Sequence, residues 1–310
     1  MTDAKADYDV IIIGGGATGL AAALYSARAM QKTLILEKIA CGGQILITDV
    51  IENYPGFPDG VTGPELAQLY EKQAVKAGAE VKYEMVESLR TDQTPKVVVT
   101  SDGQYTAKAV IIATGGEHNK LGVPGEETYA GKGVSYCATC DGNFFRNQPV
   151  AVVGGGDSAV QEALYLTQMT NKVTLIHRRD QLRASRILQE RAFASPKLEF
   201  KWNTMVEEVR GNGLMESLLL KDVNTGDPSV FHVPGLFVFI GFHPNTQFLH
   251  NGSIRLDGGG HVITNIRMET NVPGIFAAGD VRAQSDRQLG SAVGDGITAA
   301  LSAYHYITGE

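Results

Sequence analysis

The chain has 310 residues, which favours about two domains and allows folding without stabilising disulfides or metals. Apolar residues make up 43% and charged residues 20%, ordinary proportions that exclude disordered, collagen-like and coiled-coil chains. A formal charge of -7 provides no basic surface for a nucleic acid, and three cysteines are too few for a secreted disulfide framework. We therefore expect a cytoplasmic protein. Its excess of glycine, 36 residues, predicts tight turns where backbone approaches backbone or ligand.

Only one segment, from Val10 to Ala27, resembles a membrane span or a signal sequence. Asp7 and Asp9 precede it, and three consecutive glycines from position 14 interrupt it. This pattern predicts a strand, a tight turn and a helix.

The chain contains an internal repeat at an offset of 140 residues, because residues 10–38 resemble residues 150–178. Each copy has an apolar run, three glycines, a stretch with helical periodicity and a second apolar run. That order is typical of the βαβ unit of a nucleotide-binding domain, and it predicts two separate dinucleotide sites.

In the first copy, Gly14, Gly16 and Gly19 allow a tight turn, close approach of a pyrophosphate and close packing of helix on strand. Glu37 follows Gly16 by 21 residues, where a carboxylate accepts hydrogen bonds from ribose hydroxyls. We predict that this site binds a cofactor without a 2′-phosphate.

The second copy carries Gly154, Gly156 and Ala159 at the matching positions. In place of the glutamate it has His177, followed by a cluster of arginines: Arg178, Arg179 and Arg183. Guanidinium groups pair with a ribose 2′-phosphate, so this site is predicted to bind NADP(H). The alternative is a solvated basic end of a helix.

Cys137 and Cys140 form a CxxC pair about ten residues before the second copy. This spacing serves either a redox dithiol or half of a zinc site. Cys41 is the only other cysteine, which excludes a four-cysteine zinc site, and no HxxxH pair completes a mixed one. Redox chemistry is favoured over zinc and over an inert pair. Asp141 either transfers protons to a thiolate or caps a turn, and we expect Cys41 to be a packing residue.

Eight motifs occur in order between about residues 7 and 307. They are GGGATG, GGQ at 42–44, ENYPG at 52–56, ATG at 113–115, CATCD at 137–141, GGGDSA at 154–159, HRRxxxR at 177–183 and PGIFAAGD at 273–280. Their combination resembles low-molecular-weight bacterial thioredoxin reductase. The sequence departs from the family at Thr18, where proline is frequent, and at Asp286, where an aromatic residue is common.

The resemblance implies an α/β fold of two Rossmann-like doubly wound domains, with the NADPH domain inserted into a discontinuous FAD domain. The expected boundaries are 1–116 and 245–310 for the FAD domain and 117–244 for the NADPH domain, which contains the CxxC pair. FAD and NADPH are the expected cofactors, the disulfide of a thioredoxin is the expected substrate, and the family is usually homodimeric. No membrane partner, nucleic acid or metal is expected.

The two copies and the resemblance together define candidate cofactor-binding residues. For FAD they are Gly14, Gly16, Thr18, Gly19, Glu37, Lys38, Gly43, Gln44, Asn53, Thr114, Gly115, Gly279, Asp280, Arg287, Gln288 and Leu289, the last three opening a helix that faces the flavin. For NADPH they are Gly154, Gly156, Asp157, Ser158, Ala159, His177, Arg178, Arg179 and Arg183.

The resemblance also implies a route for the electrons, from NADPH to the flavin, then to the Cys137–Cys140 disulfide and finally to thioredoxin. Cys140 is expected to face the flavin, Cys137 to form the mixed disulfide with the partner, and Asp141 to act as general acid. The family rotates its NADPH domain between two states, and the pivots expected here are Gly115-Gly116 and His243-Pro244.

Four alternative functions would each predict a different sequence or a different chemistry. A flavin-dependent dithiol oxidase should lack the arginine cluster, and a ferredoxin–NADP reductase should lack the CxxC pair. A reductase serving a peroxiredoxin normally carries an extra N-terminal module, whereas about nine residues precede the first strand here. The remaining alternative is a nucleotide-sensing regulator without enzymatic activity.

Overall fold

The computed structural model describes residues 6–48, 50–249 and 252–310. The chain divides into two compact units, and each is described by itself. Unit 1 comprises residues Met1–Glu117 and His243–Glu310, and unit 2 comprises His118–Phe242.

Unit 1 begins with the first copy of the repeat. Its elements, in chain order, are β1 (Tyr8–Ile13), α1 (Ala17–Arg28), β2 (Thr33–Glu37), β3 (Val50–Ile51), β4 (Val61–Thr62), α2 (Gly63–Lys76), β5 (Glu80–Tyr83), β6 (Val86–Arg90), β7 (Lys96–Thr100) and β8 (Gly103–Ile112). A 3-10 turn spans Gly43–Ile47 between β2 and β3. The segment predicted as strand, turn and helix is β1 followed by α1, which confirms that prediction.

Unit 2 contains the second copy. The first crossing strand is β9 (Gly116–His118); then follow β10 (Val134–Ser135), α3 (Ala138–Asp141), β11 (Pro149–Gly154), α4 (Asp157–Leu166), β12 (Lys172–Ile176), α5 (Arg186–Ala194), β13 (Leu198–Lys201), β14 (Thr204–Asn212), β15 (Leu214–Asp222), β16 (Pro228–His232) and β17 (Leu236–Phe239). The second crossing strand, β18 (Phe242–Pro244), pairs with β9. The chain re-enters unit 1 with β19 (Ile275–Ala277) and α6 (Leu289–Thr308).

The large sheet of unit 1 has the order β5-β2-β1-β8-β7-β6, with β19 also paired to β8. Strands β5, β2, β1, β8 and β19 are parallel, and β6 and β7 form an antiparallel extension. Alternate residues of β1 enter two different cores: Val10 and Ile12 pack with α1 and α6, whereas Ile11 and Ile13 pack on the opposite face. Both faces of the sheet are covered. This is expected for parallel strands, whose burial on both faces makes their sequences continuous apolar runs.

Unit 2 repeats this arrangement with a five-stranded parallel sheet of order β10-β17-β11-β12-β13. Val150 and Val152 of β11 pack with α3, α4 and α5 residues, and Ala151 packs towards the antiparallel sheet β14-β15-β16. The two predicted βαβ units, β1-α1-β2 and β11-α4-β12, are therefore both present with parallel strands.

In the part of the chain that the structure describes, no helix is both long enough and apolar enough to cross a membrane.

Candidate functional site: two dinucleotide loops and a redox disulfide

The first glycine loop is shaped by contacts that leave no room for side chains. Gly14 has φ +104°, and a Cβ on it would lie 2.5 Å from the carbonyl oxygen of Ala113. A Cβ on Gly19 would overlap the carbonyl oxygen of Gly14. At Gly16, by contrast, the nearest atom to a Cβ would be 4.0 Å away. Protein backbone therefore fills the space beside Gly14 and Gly19, whereas the space beside Gly16 is free for a ligand.

Helix α1 follows this loop with Gly16 as its N-cap, and no side chain caps it. Its first amides therefore remain available to an anion, which is the arrangement of a pyrophosphate site. Glu37 lies beside the loop, where its Oε2 accepts a hydrogen bond from the Gly15 amide at 2.8 Å and its Oε1 accepts one from Ile39 at 3.1 Å. Each carboxylate oxygen keeps a further lone pair for a ribose hydroxyl. These residues fit an unphosphorylated dinucleotide such as FAD.

Two other segments of unit 1 approach the same loop. The Gly42 amide donates to Gly15 at 2.8 Å, and a Cβ on Gly43 would lie 3.2 Å from the Cα of Gly16. Gln44 donates through Nε2 to the Gly116 carbonyl at 3.1 Å. The structure thus brings the GGQ segment onto the glycine loop. Lys38 is half exposed and pairs with Glu117 at 3.6 Å.

The C-terminal segment returns to the loop through Gly279 and Thr18. Gly279 has φ +74°, and a Cβ there would overlap the hydroxyl of the buried Thr18. The Asp280 carboxyl accepts from Ser285 at 3.1 Å, and burial raises its pKa. Arg287 precedes α6 with φ +53°, Gln288 is the N-cap and Leu289 the first helical residue. Gln288 accepts from Asn53 at 3.3 Å, which joins the ENYPG segment to the start of α6.

Sequence reasoning missed two polar pairs that hold these segments. Asn245 donates to the Thr114 carbonyl at 3.0 Å and its own carbonyl accepts from the Thr114 hydroxyl at 2.7 Å. Arg282 and the buried Asp295 form an ion pair at 2.5 Å, and Asp295 also accepts from the Gly279 amide at 3.2 Å. Asp295 in an otherwise small and apolar stretch of α6 was the available signal, because buried carboxylates are nearly always paired.

The second glycine loop, in unit 2, follows the same plan with different contacts. Gly154 has φ +154°, and a Cβ on it would lie 2.5 Å from Cβ of Ala159. Gly156 has open space where a Cβ would stand and is the N-cap of α4, with no capping side chain. Asp157 accepts from the Ser185 amide at 2.5 Å, which ties the loop to the start of α5. Ser158 is exposed in the first turn of α4.

The three arginines after β12 are exposed, and within the described residues none of them forms an ion pair. The Arg183 amide donates to the Gly155 carbonyl at 2.7 Å, so the arginine segment is fastened to the glycine loop. This arrangement of unpaired guanidinium groups beside an uncapped helix fits the 2′-phosphate and pyrophosphate of NADPH.

His177 differs from its arginine neighbours, because it is buried with 6% of its surface exposed. Its ring lies where a Cβ of Gly155 would stand, and its Nε2 has no hydrogen-bond partner among the described residues. Burial and the nearby guanidinium groups, above all that of Arg183, lower its pKa, so it is neutral near pH 7. The ring of His177 therefore packs against Gly155 and supports the glycine loop.

Cys137 and Cys140 form a disulfide at the start of the four-residue helix α3. The sulfur of Cys137 accepts from the Cys140 amide at 3.2 Å and lies 3.4 Å from the Thr139 hydroxyl. Both groups can donate to a thiolate at Cys137 after the disulfide opens, and such donors favour the charged form.

Asp141 follows the disulfide and is linked to it through Ser135, a buried residue that the sequence analysis did not single out. The Ser135 hydroxyl donates to Asp141 Oδ2 at 2.5 Å and accepts from the Cys137 amide at 3.1 Å. The sequence signal was a serine two residues before the first cysteine.

Cys41, the third cysteine, is buried in the core of unit 1 beside Ala22 and Ile35. Burial, with Glu71 and Glu37 nearby, raises its pKa to about 12, so it is an unreactive thiol. The expectation of a packing residue is confirmed.

Comparison with known proteins gives one consistent result. Residues 8–299 match the family described as pyridine nucleotide-disulphide oxidoreductase. Thioredoxin reductase of Treponema pallidum is 48% identical over 303 residues, 98% of each chain, and that of Bacillus subtilis is 48% identical over 97% of this chain and 95% of its own. The crystal structure of thioredoxin reductase from Streptococcus pyogenes matches with a TM-score of 0.94 and 48% identity, covering 98% of this chain and 99% of that one.

These matches span almost the full chain and agree with the two Rossmann-like units and the disulfide described above. The chain therefore belongs to the pyridine nucleotide-disulphide oxidoreductase family, within its group of thioredoxin reductases.

Proposed function

We propose that this chain reduces the disulfide of a thioredoxin with electrons from NADPH, through FAD and the Cys137–Cys140 pair. The observation that carries the proposal is the disulfide at α3, linked by hydrogen bonds to a carboxyl group. It lies in the same unit as a dinucleotide loop with unpaired exposed arginines.

FAD and NADPH are the cofactors of this family, and together they deliver two electrons to the disulfide. We assign FAD to the discontinuous domain 1–116 and 245–310, and NADPH to domain 117–244. The candidate residues around the first glycine loop, the GGQ segment and the start of α6 would hold FAD. Those around the second loop and the arginine segment would hold NADPH.

The residues of the chain then carry out thiol–disulfide exchange. The Cys137 thiolate attacks one sulfur of the thioredoxin disulfide, forming a mixed disulfide while the thioredoxin S–S bond breaks, and the departing thiolate takes a proton. Cys140, as thiolate, attacks the Cys137 sulfur, which restores the Cys137–Cys140 bond and releases the second thioredoxin thiol. The donors at Cys140 N–H and Thr139 Oγ1 stabilise the Cys137 thiolate. Asp141 holds at Oδ2 the proton exchanged with Cys140.

The location, the oligomeric state and the protein partner are proposed from membership of the thioredoxin reductases. We propose that the protein is a cytoplasmic homodimer with thioredoxin as its protein partner, and that it binds no nucleic acid, since its net charge is -7. Light scattering on the FAD-loaded protein would give the mass of the assembly directly.

The test is NADPH-dependent reduction of a panel of thioredoxins by the FAD-loaded protein. Cys137→Ser and Cys140→Ser should each abolish it, while Cys41→Ala, which removes the buried thiol, should retain it. Rapid oxygen consumption without turnover of any thioredoxin would instead favour a dithiol oxidase. Activity with a peroxiredoxin and with no thioredoxin would show that the protein partner is different but that the disulfide reduction is as proposed.

A further inference from the structure

Ser135 lies between Cys137 and Asp141, the two ends of the segment 137–141, which we call the redox loop. It lies at the end of β10 with only 4% of its surface exposed. Its hydroxyl lies 2.5 Å from Asp141 Oδ2, 3.1 Å from the Cys137 amide nitrogen and 3.2 Å from the Cys137 carbonyl oxygen. One hydroxyl thus contacts the proposed acid and both main-chain polar groups of the first cysteine.

A serine hydroxyl has one proton and two lone pairs, so it cannot donate to Asp141 and to the Cys137 carbonyl at the same time. When Asp141 is ionised, the charge-assisted bond to Oδ2 is the stronger one. When Asp141 is protonated, its own O–H can donate to Ser135 Oγ, and the serine proton can turn to the Cys137 carbonyl. Each protonation state of Asp141 therefore has a satisfied arrangement without any movement of heavy atoms.

We propose that Ser135 is a positioning residue for Asp141, whose hydroxyl rotates with the protonation state of that carboxyl and holds it against the redox loop in both states. The inference rests on the role proposed above for Asp141. The hydroxyl neither gains nor loses a proton overall; the proton that moves is the one exchanged between Asp141 Oδ2 and Cys140.

Other charged groups near α3 must be separated from this effect. Helix α4 packs against α3 and carries Glu162, whose Oε2 is buried without a partner and whose pKa is raised by burial. Arg146 follows the 3-10 turn Gly142–Phe145 that comes after α3, and it donates to Asn143 at 3.3 Å. Glu162→Gln therefore serves as a control for a second titrating carboxyl.

The experiment measures how fast iodoacetamide alkylates Cys137 and Cys140 as a function of pH. The FAD-loaded protein is reduced chemically and desalted, and mass spectrometry follows each cysteine. An ionised Asp141 opposes thiolate formation nearby, so we expect its titration to appear as a step in the plot of alkylation rate against pH. Ser135→Ala removes the donor to the carboxylate and should move this step to higher pH by roughly half to one unit, because that bond favours the ionised form.

Three comparisons decide the result. Asp141→Asn should remove the step, and Ser135→Ala in the Asp141→Asn background should then change the rates by less than about twofold, since coupled residues are non-additive. Ser135→Thr, which keeps a hydroxyl, should restore the original step. Ser26→Ala, which removes a buried hydroxyl of unit 1 that has no partner, should leave the profile unchanged.

The outcomes separate the two proposals. If Asp141→Asn removes the step but Ser135→Ala does not move it, Ser135 is not a positioning residue, and the role of Asp141 stands. An equal change in the alkylation rates by Ser135→Ala in both backgrounds would also overturn the inference. If Asp141→Asn leaves the step in place and Glu162→Gln removes it, the role of Asp141 fails, and the inference fails with it.

Discussion

At the residue scale, three exposed guanidinium groups distinguish the second dinucleotide loop from the first. In unit 1 the corresponding position is Glu37, whose carboxylate also braces its own glycine loop through the Gly15 amide. In unit 2 the bracing is done by the buried ring of His177 and by the Arg183 main chain, which leaves the arginine side chains exposed. In unit 2, the groups that support the loop are thus different from the guanidinium groups that we propose to bind the ribose phosphate.

Arg178→Ala and Arg179→Ala should each weaken binding of 2′,5′-ADP by about 10- to 100-fold, because a hydrogen bond to a charged group contributes ~1.5–3 kcal/mol. Binding of the unphosphorylated analogue should change by less than about threefold. Calorimetric titration measures both. Arg210→Ala, which removes an arginine paired with Glu208 in the same unit, is the matched control and should change neither. Equal loss with both nucleotides would contradict the NADPH assignment.

His177 should make the stability of the protein depend on pH. Its pKa is lowered in the folded protein, so the unfolded chain binds more protons as the pH falls below ~6.5, and the free energy of unfolding falls with it. His177→Gln should reduce the loss between pH 7.5 and pH 5.5 by about 1 kcal/mol. Urea unfolding at both pH values measures this. The exposed His232, replaced by glutamine, should have no such effect; an unchanged pH dependence in His177→Gln would exclude His177 as the source.

At the element scale, the two βαβ units have the same topology, but the third small residue of each glycine motif, Gly19 or Ala159, packs differently. Gly19 has no space for a Cβ, because the carbonyl of Gly14 lies there. The equivalent residue of unit 2, Ala159, has its methyl group where a Cβ of Gly154 would otherwise stand. The repeat in the sequence predicted the strands, the helices and their parallel pairing. Only the tertiary structure decided how closely each helix packs on its loop.

Gly19→Ala should lower the free energy of unfolding by about 1–3 kcal/mol, since overpacking forces the backbone to shift. It should also lower the FAD content of the purified protein, because the loop beneath the pyrophosphate site moves. The matched change, Ala159→Gly, should cost only about 1 kcal/mol, the ordinary penalty of glycine in a helix. Denaturant unfolding and flavin absorbance measure both, and a fully stable Gly19→Ala protein would refute this account of the packing.

Among the elements that the sequence did not indicate are two sets of antiparallel strands, β6-β7 in unit 1 and β14-β15-β16 in unit 2. Strands β6, β14 and β16 are partly exposed and lack the continuous apolar runs that identify the parallel strands. Strands β7 and β15, by contrast, each contain three consecutive apolar residues, at 97–99 and 218–220. The tertiary structure gives these strands their place: β15 buries Leu218 and Leu220 with residues of β11 and β17, and β7 buries Val98 in the core of unit 1.

At the scale of the whole molecule, the chain passes between its two units twice. The changes fall between Glu117 and His118 and between Phe242 and His243, and the strands β9 and β18 that contain them pair with each other. Gly115, with φ +58° and open space around it, immediately precedes the first crossing. We propose that Gly115-Gly116 and His243-Pro244 are the pivots of a rotation that alternates access to the disulfide.

Gly115→Ala should therefore lower turnover with thioredoxin by roughly tenfold if rotation limits the rate, since an added Cβ narrows the backbone freedom of the pivot. Gly226→Ala is the matched control, because Gly226 also has a positive φ, +81°, and open space, and lies in the turn between β15 and β16. Both changes should cost about 1 kcal/mol of stability. Steady-state turnover at equal flavin content measures the difference, and equal turnover in the two variants would exclude Gly115 as a pivot.

The sequence by itself determined the two βαβ units and the redox pair, and it predicted two different dinucleotides, because these features depend on local spacing and on charge. Local patterns also placed Cys41 among apolar residues. Only the tertiary structure decided which residues support these groups: Ser135 between Asp141 and Cys137, His177 beneath Gly155, and Asp295 with Arg282. The physical reason is that such contacts join residues whose separation in the sequence carries no signal until the chain has folded and excluded water from around them.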